Sequence, residues 1–447
     1  MSVPPDTMLL RLWLGLSRLF PGLLQAIARR AHLRMKAPVG RLCERFGSTD
    51  LPRPEGRLVW LHAASVGEVV SVLKLANLIM QRENATLLCT TTSATGAKLV
   101  GTRLPEAIHQ FAPLDTPAAV AGFLDHWRPD LALFVEGDLW PRMIQTLERR
   151  AIPAALLNAR PSRTRQRAPK SFAALLRPFR LVTLQEESLR NEFLRLRLPA
   201  QSLHAPGNLK ADLTPPTIDQ ALLGQLKEAA GKRRIWAAAS THEGEEEIVI
   251  DAAQMLKEPA FLLLAPRHPA RGNAISAMMV KRGLSFSRQS LGELPTTATQ
   301  VHLVDMLGMM GTLYSLAELA LIGGSLLRGP GGHSPYEAAQ LGCPLLTGPY
   351  TGNSAATYNS LICAGAALQV KDAADLAQAL TALFADPTKL QHMKVAAYNE
   401  KLLHSGSSER TLALLSSMRS NRGGALEQNV PLARVTEQRP QSTIPPV

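Results

Sequence analysis

The chain predicts an α/β protein built from two doubly wound, Rossmann-like domains facing across a cleft. Three observations carry this expectation. Short apolar runs alternate with helical stretches from Arg57 onward, as strands and crossover helices do in a parallel sheet. A polar, Pro-containing segment, LTPPTIDQ (213–220), splits that series into two similar halves. And 447 residues, 46% hydrophobic and 19% charged, suffice for two or three domains with substantial cores.

In chain order, RLVWLHA reads as a buried strand and SVGEVVSVLKLANLIMQ as the helix that follows. ATLLCTTT is a strand with a helix from about Ser93; DLALFVE is a strand with a helix from about Pro141. IPAALLNAR and LVTLQ complete the first half, and RIWAAAS, AFLLLAP, LALIGG and CPLLTG are the strands of the second. These runs suit strands buried on both faces. The expected division is an N-terminal segment 1–36, a first domain 37–213, a second domain 214–419 and a polar, Pro-rich tail 420–447 read as disordered.

Met8 to Ile27 is rich in Leu and Trp, yet Arg11 and Arg18 interrupt it. Arginine at mid-bilayer is costly, and no small-residue cleavage site follows. At about 100° per residue, Arg11, Arg18, Gln25 and Arg29 share one stripe, and apolar residues cover the rest. An interfacial helix on an anionic membrane, kinked at Pro21, fits this pattern; a spanning helix and a soluble core helix are the alternatives.

The chain carries 49 Lys and Arg against 36 Asp and Glu, a net charge of +13. That balance suggests a polyanionic partner: nucleic acid, anionic lipid or a phosphorylated substrate. Aromatic residues make up 5% and none interleaves with a basic run, which argues against a nucleic-acid binder that stacks bases. Cys43, Cys89, Cys343 and Cys363 are scattered, without a disulfide framework. No GxGxxG follows a strand and no GxxxxGK[ST] occurs, which counts against a dinucleotide dehydrogenase and a P-loop NTPase.

Candidate site residues cluster just after strands, where such sheets bind ligands. In HAASVGEVV, Ser65 and Glu68 form a capping-box pattern; Glu68 either closes the helix or takes a proton from a hydroxyl. Glu136 and Asp138 follow another strand as paired acids. Arg160, Arg163, Arg165 and Arg167 form a basic run, either solvated or facing an acidic substrate. Lys210 lies in GNLKAD, Ser240 and Thr241 at a further helix start, and Arg267 with His268 at the end of LLLAP. His62, His242, His268 and His333 show no tight metal-ligand spacing, so no metal is expected. In GGHSPYEAAQLGCPLLTGP, Ser334 reads as an N-cap, Pro335 as the first helical residue, Glu337 as the capping-box partner and Gly342 as the residue past the end.

With these blocks in order, the chain resembles the 3-deoxy-D-manno-octulosonic acid (Kdo) transferases of lipopolysaccharide assembly. The resemblance runs from about Arg41 to Ser407 and includes RLCERFG, HAASVGEV, TTTSATGA, VEGDLWP, LNARPS, GNLKAD, STHEGEEE, APRHPAR and GGSLLRGPGGHSPYEAAQLGCPLLTGP, with Asn353 nearby. It implies a GT-B glycosyltransferase that needs no cofactor and no metal and inverts the anomeric centre. CMP-Kdo would be the donor and the glucosamine disaccharide of a lipid A precursor the acceptor, at the cytoplasmic face of the inner membrane. Glu68 matches the family's general base; Glu136 and Lys210 match positions assigned to transition-state stabilisation. Pro266, Arg267, Leu307, Gly308 and Met309, with Gly332, Ser334, Pro335, Tyr336 and Glu337, match the CMP-binding segments. The family usually has Glu at the Met309 position, Asn at Ser334, Leu at Tyr336 and Glu at Asp138. Alternative readings are a GT-B transferase using another nucleotide sugar, or a non-catalytic lipid-binding relative.

Overall fold

The computed structural model describes residues 7–160, 162–403 and 405–420. Two seven-stranded sheets, all parallel, organise the chain. The first contains β1 (Leu58–His62), β2 (Thr86–Thr91), β3 (Ile108–Phe111), β4 (Leu131–Val135), β5 (Ala154–Ala159), β6 (Phe179–Leu184) and β7 (Leu203–His204). Its strand order is 3-2-1-4-5-6-7. The second contains β8 (Ile235–Thr241), β9 (Phe261–Pro266), β10 (Phe286–Arg288), β11 (Val301–Leu303), β12 (Leu319–Ile322), β13 (Leu345–Thr347) and β14 (Ala367–Gln369). Its order is 10-11-9-8-12-13-14. Each order reverses direction once, between β1 and β4 and between β8 and β12, and ligands bind at such switch points.

Strand period divides each domain's core in two. Along β1, Leu58 and Trp60 enter one cluster and Val59 and Leu61 the opposite one. Along β8, Trp236 and Ala238 face one way, Ile235, Ala237 and Ala239 the other. The central strands are buried throughout, as their unbroken apolar runs imply. The strands that the sequence reading misses, β3, β7, β10, β11 and β14, have two to four residues each. Each carries polar or half-buried positions that blur so short a pattern.

Two findings refine the domain division. The helix Ser407–Ser420 returns to the first domain, where Leu412 and Leu415 join the cluster of Val59 and Val72. Assigning 214–419 wholly to the second domain therefore misplaces this helix. Asp212 fixes it: its carboxylate accepts from Gly406 N–H at 2.6 Å and from Ser408 N–H at 2.5 Å. The tail 421–447 lies outside the described residues.

At the other end, α1 (Met8–Leu19) and α2 (Pro21–Arg34) meet at Phe20, whose φ of −123° and ψ of 49° break the helix before Pro21. Trp13 Nε1 donates to Asp115 at 2.6 Å, and the Trp13 ring packs 5.4 Å from Trp140. Leu10 and Ser17 are buried on the same face. Leu9, Leu12, Leu16, Leu19, Phe20, Leu23 and Ile27 remain exposed. Among the described residues, no helix is long and apolar enough to cross a membrane.

Because Asp212 satisfies two N–H groups at the start of the returning helix, Asp212→Ala leaves both without their acceptor. Charged hydrogen bonds of this kind are worth roughly 1.5–3 kcal/mol each. The expected outcome is faster amide exchange in residues 407–418, with exchange in β1 and β4 unchanged.

Candidate active site

The carboxyl ends of the first sheet's strands converge on a cleft of about 1150 Å³. Its far wall comes from the second domain, through Arg328, Gly331, Tyr350 and Asn353.

Glu68 enters from the start of α3 (Val66–Glu83), directly after β1. The capping box is present: Ser65 Oγ accepts from Glu68 N–H at 3.3 Å. Glu68 Oε2 accepts from Ala64 N–H at 2.6 Å and from Ser65 N–H at 3.4 Å. Its other oxygen has no hydrogen bond among the described residues. Burial, and then the negative charge of Glu136, holds the Glu68 carboxyl above the usual carboxylate range, against the opposing pull of His62 and Ala64 N–H.

Glu136 follows β4 at φ +58°, a left-handed conformation that costs a non-glycine residue energy. The carboxylate is 7% exposed and doubly paired, to Lys210 Nζ at 2.7 Å and to Arg160 Nε at 2.9 Å. Lys210 is presented by the turn Leu209–Asp212, where Asn208 Oδ1 accepts from its N–H at 3.0 Å. Asp138 meets His62 Nε2 at 3.1 Å, and His62 Nδ1 lies 2.9 Å from Thr90 Oγ1. Burial raises the Asp138 carboxyl, but the His62 bond and charge outweigh it and hold it low.

The second domain sets its own groups at strand ends. Glu245, buried, accepts from His242, Gly324 and Leu326 N–H at 2.7–2.9 Å. Those bonds hold the loop after β12 in place. His242 and His333 stack with ring centroids 5.0 Å apart and Nε2 atoms at 2.8 Å, and His268 lies 5.6 Å from His242. Burial drives His333 down to about 4 and also lowers His242.

The predicted residues separate into groups. Glu68, Glu136 and Asp138 line the large cleft, and Lys210 reaches it through Glu136. Gly308 and Glu337 line a smaller cavity of about 350 Å³ between the domains, with Lys74, Arg103 and Asp212. Pro266 ends β9, and Arg267 is exposed beyond it, close enough to Glu337 to oppose the upward shift that burial imposes on that carboxyl. Leu307 is exposed, whereas Met309 packs partly against the second core. Gly332 N–H is taken by Gly324 C=O at 2.6 Å.

The helix expected to start at Ser334 instead spans Tyr336–Gln340, with Pro335 at the cap position and no side-chain cap bond. The Ser334 hydroxyl, though buried, has no hydrogen-bond partner. The Ser334–Glu337 capping box therefore does not form, while Gly342 does terminate the helix at φ +65°. Tyr336 turns inward, 4% exposed, 3.3 Å from Thr357 Oγ1. Arg160, already singled out in the basic run, lines the cleft just past β5, and His62 supports Asp138 from the end of β1; Arg328 and Tyr350 are added cleft residues that carry no sequence signal.

Breaking a buried ion pair by removing one partner typically costs about 3–5 kcal/mol. Here Arg160 remains and Lys210 is a quarter exposed, so Lys210→Met should cost roughly 1–3 kcal/mol. Denaturant titration of Lys210→Met, Glu136→Gln and the double variant should show that the second change recovers part of the loss.

A sequence pattern described as 3-deoxy-D-manno-octulosonic-acid transferase (kdotransferase) matches residues 40–213. The 3-deoxy-D-manno-octulosonic acid transferase of Haemophilus influenzae is 34% identical over 391 residues, covering 84% of this chain and 90% of the relative. That of Bordetella pertussis is 32% identical over 388 residues, covering 83% and 90%. In fold, the chain is similar to a glycosyltransferase from Rickettsia africae, with a TM-score of 0.59 at 10% identity over 82% of this chain and all of the other. It is also similar to the UDP-GlcNAc 2-epimerase of Neisseria meningitidis, with a TM-score of 0.56 at 14% identity, covering 81% and 100%. The fold is GT-B, and by the extent of its identity to these relatives the chain belongs to the 3-deoxy-D-manno-octulosonic acid transferases, which are glycosyltransferases.

Proposed function

We propose that the chain moves Kdo from CMP-Kdo to a hydroxyl of the glucosamine disaccharide in a lipid A precursor. Transfer inverts the anomeric centre without a bound metal, on the anionic cytoplasmic face of the inner membrane, with the first domain (37–213) receiving acceptor and the second holding donor. The observation that carries this reading is the contrast between the two cleft glutamates. Glu136 is bound on both oxygens by cations, so neither oxygen is left to meet an acceptor hydroxyl. Glu68 keeps one oxygen free and has its proton affinity raised by burial, which suits a general base.

In the proposed step, Glu68 takes the proton as the acceptor oxygen bonds to the anomeric carbon. The bond from that carbon to the CMP phosphate breaks, and its electron pair leaves with CMP. The phosphate's growing charge needs fixed positive groups. Arg267 supplies one, the N–H groups in the first turn at Tyr336 others, and Lys210 with Arg160 lends positive potential to the cleft. Glu337, released from any capping role, is the acceptor available for ribose hydroxyls. Met309 contributes no carboxylate there, which leaves that recognition to Glu337.

Mass spectrometry after incubation with CMP-Kdo and a tetraacyl disaccharide precursor tests donor, acceptor and number of transfers together; an unmodified precursor overturns the reading. Loss of a general base costs about 10²–10⁴-fold. Glu68→Gln should therefore lower kcat by that order while CMP still stabilises the protein in a thermal-shift assay. As pH falls, wild-type activity should be lost through a group titrating above the ordinary glutamate range, because protonated Glu68 cannot act as base. Glu337→Gln should keep its thermal stability but weaken CMP binding by about tenfold, the equivalent of one hydrogen bond at roughly 1.4 kcal/mol, read by calorimetry.

A further inference from the structure

A second cleft, unused by the chemistry above, lies beside the exposed face of α1. It encloses about 560 Å³ between α1 and the helices Pro117–Trp127 and Pro141–Arg149, and Arg18, Arg142, Arg149 and Arg150 line it. Arg150 is paired to Asp125 at 2.8 Å. Among the described residues, no carboxylate forms an ion pair with the other three.

Two of those guanidiniums, Arg142 and Arg149, are held by neutral groups. Arg142 donates through Nε to Ser17 Oγ at 3.1 Å and also to the Leu14 carbonyl. Arg149 donates to Thr146 Oγ1 at 3.1 Å. Burial lowers the Arg142 pKa; Asp115 opposes it, and the charges of Arg149 and Arg18 add to the lowering. Asp115 offsets only part of this clustered positive charge; guanidiniums gathered in one cleft repel one another, and an anion between them relieves that repulsion. Arg18 and Arg149 offer the forked donors that suit phosphate oxygens, and Arg142, whose Nε and Nη2 are engaged by Ser17 and Leu14, adds positive charge.

Position says which phosphate. On the α1 wheel, Leu10, Trp13, Leu14 and Ser17 face the domain, while Leu9, Leu12, Leu16 and Leu19 face outward. Arg11 and Arg18 lie along the boundary between those faces. Arg18 thus stands between the cleft and an apolar ridge that continues through Phe20, Leu23 and Ile27, all exposed. An apolar face flanked by arginine is the arrangement of a helix lying at a headgroup layer.

We propose that this cleft seats the phosphate headgroup of an anionic phospholipid while the α1–α2 ridge enters the acyl boundary of the same leaflet. The site is separate from the substrate cleft, and it rests on the membrane-surface reading given above.

Vesicle flotation of the full chain tests it, with phosphatidylcholine alone or mixed with phosphatidylglycerol. A diffuse attraction gives about fivefold for each basic residue near an anionic surface. Arg29→Gln/Arg30→Gln, exposed and outside the cleft, should therefore lose no more than about 25-fold in affinity for the mixed vesicles. Arg18→Gln/Arg149→Gln should lose about 100-fold or more, beyond what diffuse charge accounts for, and keep its KM for the precursor in detergent. Equal losses in the two pairs would mean a diffuse field and overturn the seat. A raised KM with vesicle binding intact would assign the phosphate to the acceptor and overturn the phospholipid. Leu12→Gln/Leu16→Gln separates the two readings: unaffected binding to both vesicle types would sink the membrane reading itself, whereas loss of binding here with equal arginine pairs would sink the seat alone.

Discussion

The large cleft depends on one buried carboxylate, Glu136, held between Lys210 and Arg160. Each partner comes from a different segment: the loop after β4, the end of β5 and the turn that precedes the interdomain linker. A buried charge is tolerable only when it is fully paired, so the three segments must arrive together or not at all. The left-handed backbone at Glu136 adds a local cost of about 1–3 kcal/mol, which the two ion pairs offset. The arrangement also reaches Glu68, because an ionised Glu136 nearby makes a second negative charge harder to form and so raises its neighbour's proton affinity.

The central strands were legible because parallel strands covered on both faces must be apolar along their whole length. The placing of Glu68, Glu136 and Arg267 just after strands followed from the same pattern. What stayed hidden is what depends on distant partners. The bond between Asp212 and Gly406 spans 194 residues, and no local pattern in either segment announces the other. Arg328 and Tyr350 face the cleft only because the second domain is folded opposite the first. The edge strands were missed for a simpler reason: two to four residues are too few to show a period.

Two copies of the same local pattern, Ser-x-x-Glu, met different fates. At Ser65 the chain leaves a buried strand and enters an 18-residue helix, so the first turn has unmet N–H groups and both side chains turn to meet them. At Ser334 the preceding backbone is already committed. Gly332 and His333 donate to the carbonyls of Gly324 and Gly323, and the Glu245 carboxylate pins that facing loop. The following helix has five residues, too short to impose its own start. Tertiary hydrogen bonds therefore set the backbone at Ser334, and the side chains that would have capped it are left for other partners.

That difference explains how one glutamate can be structural and chemically available at once. The two N–H groups that close α3 grip a single oxygen of Glu68, which fixes the side chain's torsions and directs the other oxygen into the cleft. A carboxylate positioned in this way cannot drift without opening the helix start, so its placing draws on the stability of an 18-residue helix rather than on a flexible loop. Aspartate, one methylene shorter, would have to give up either the N–H groups behind it or the hydroxyl in front. The capping pattern and the proposed proton-accepting role are thus compatible, and the length of the glutamate side chain would let one residue serve both.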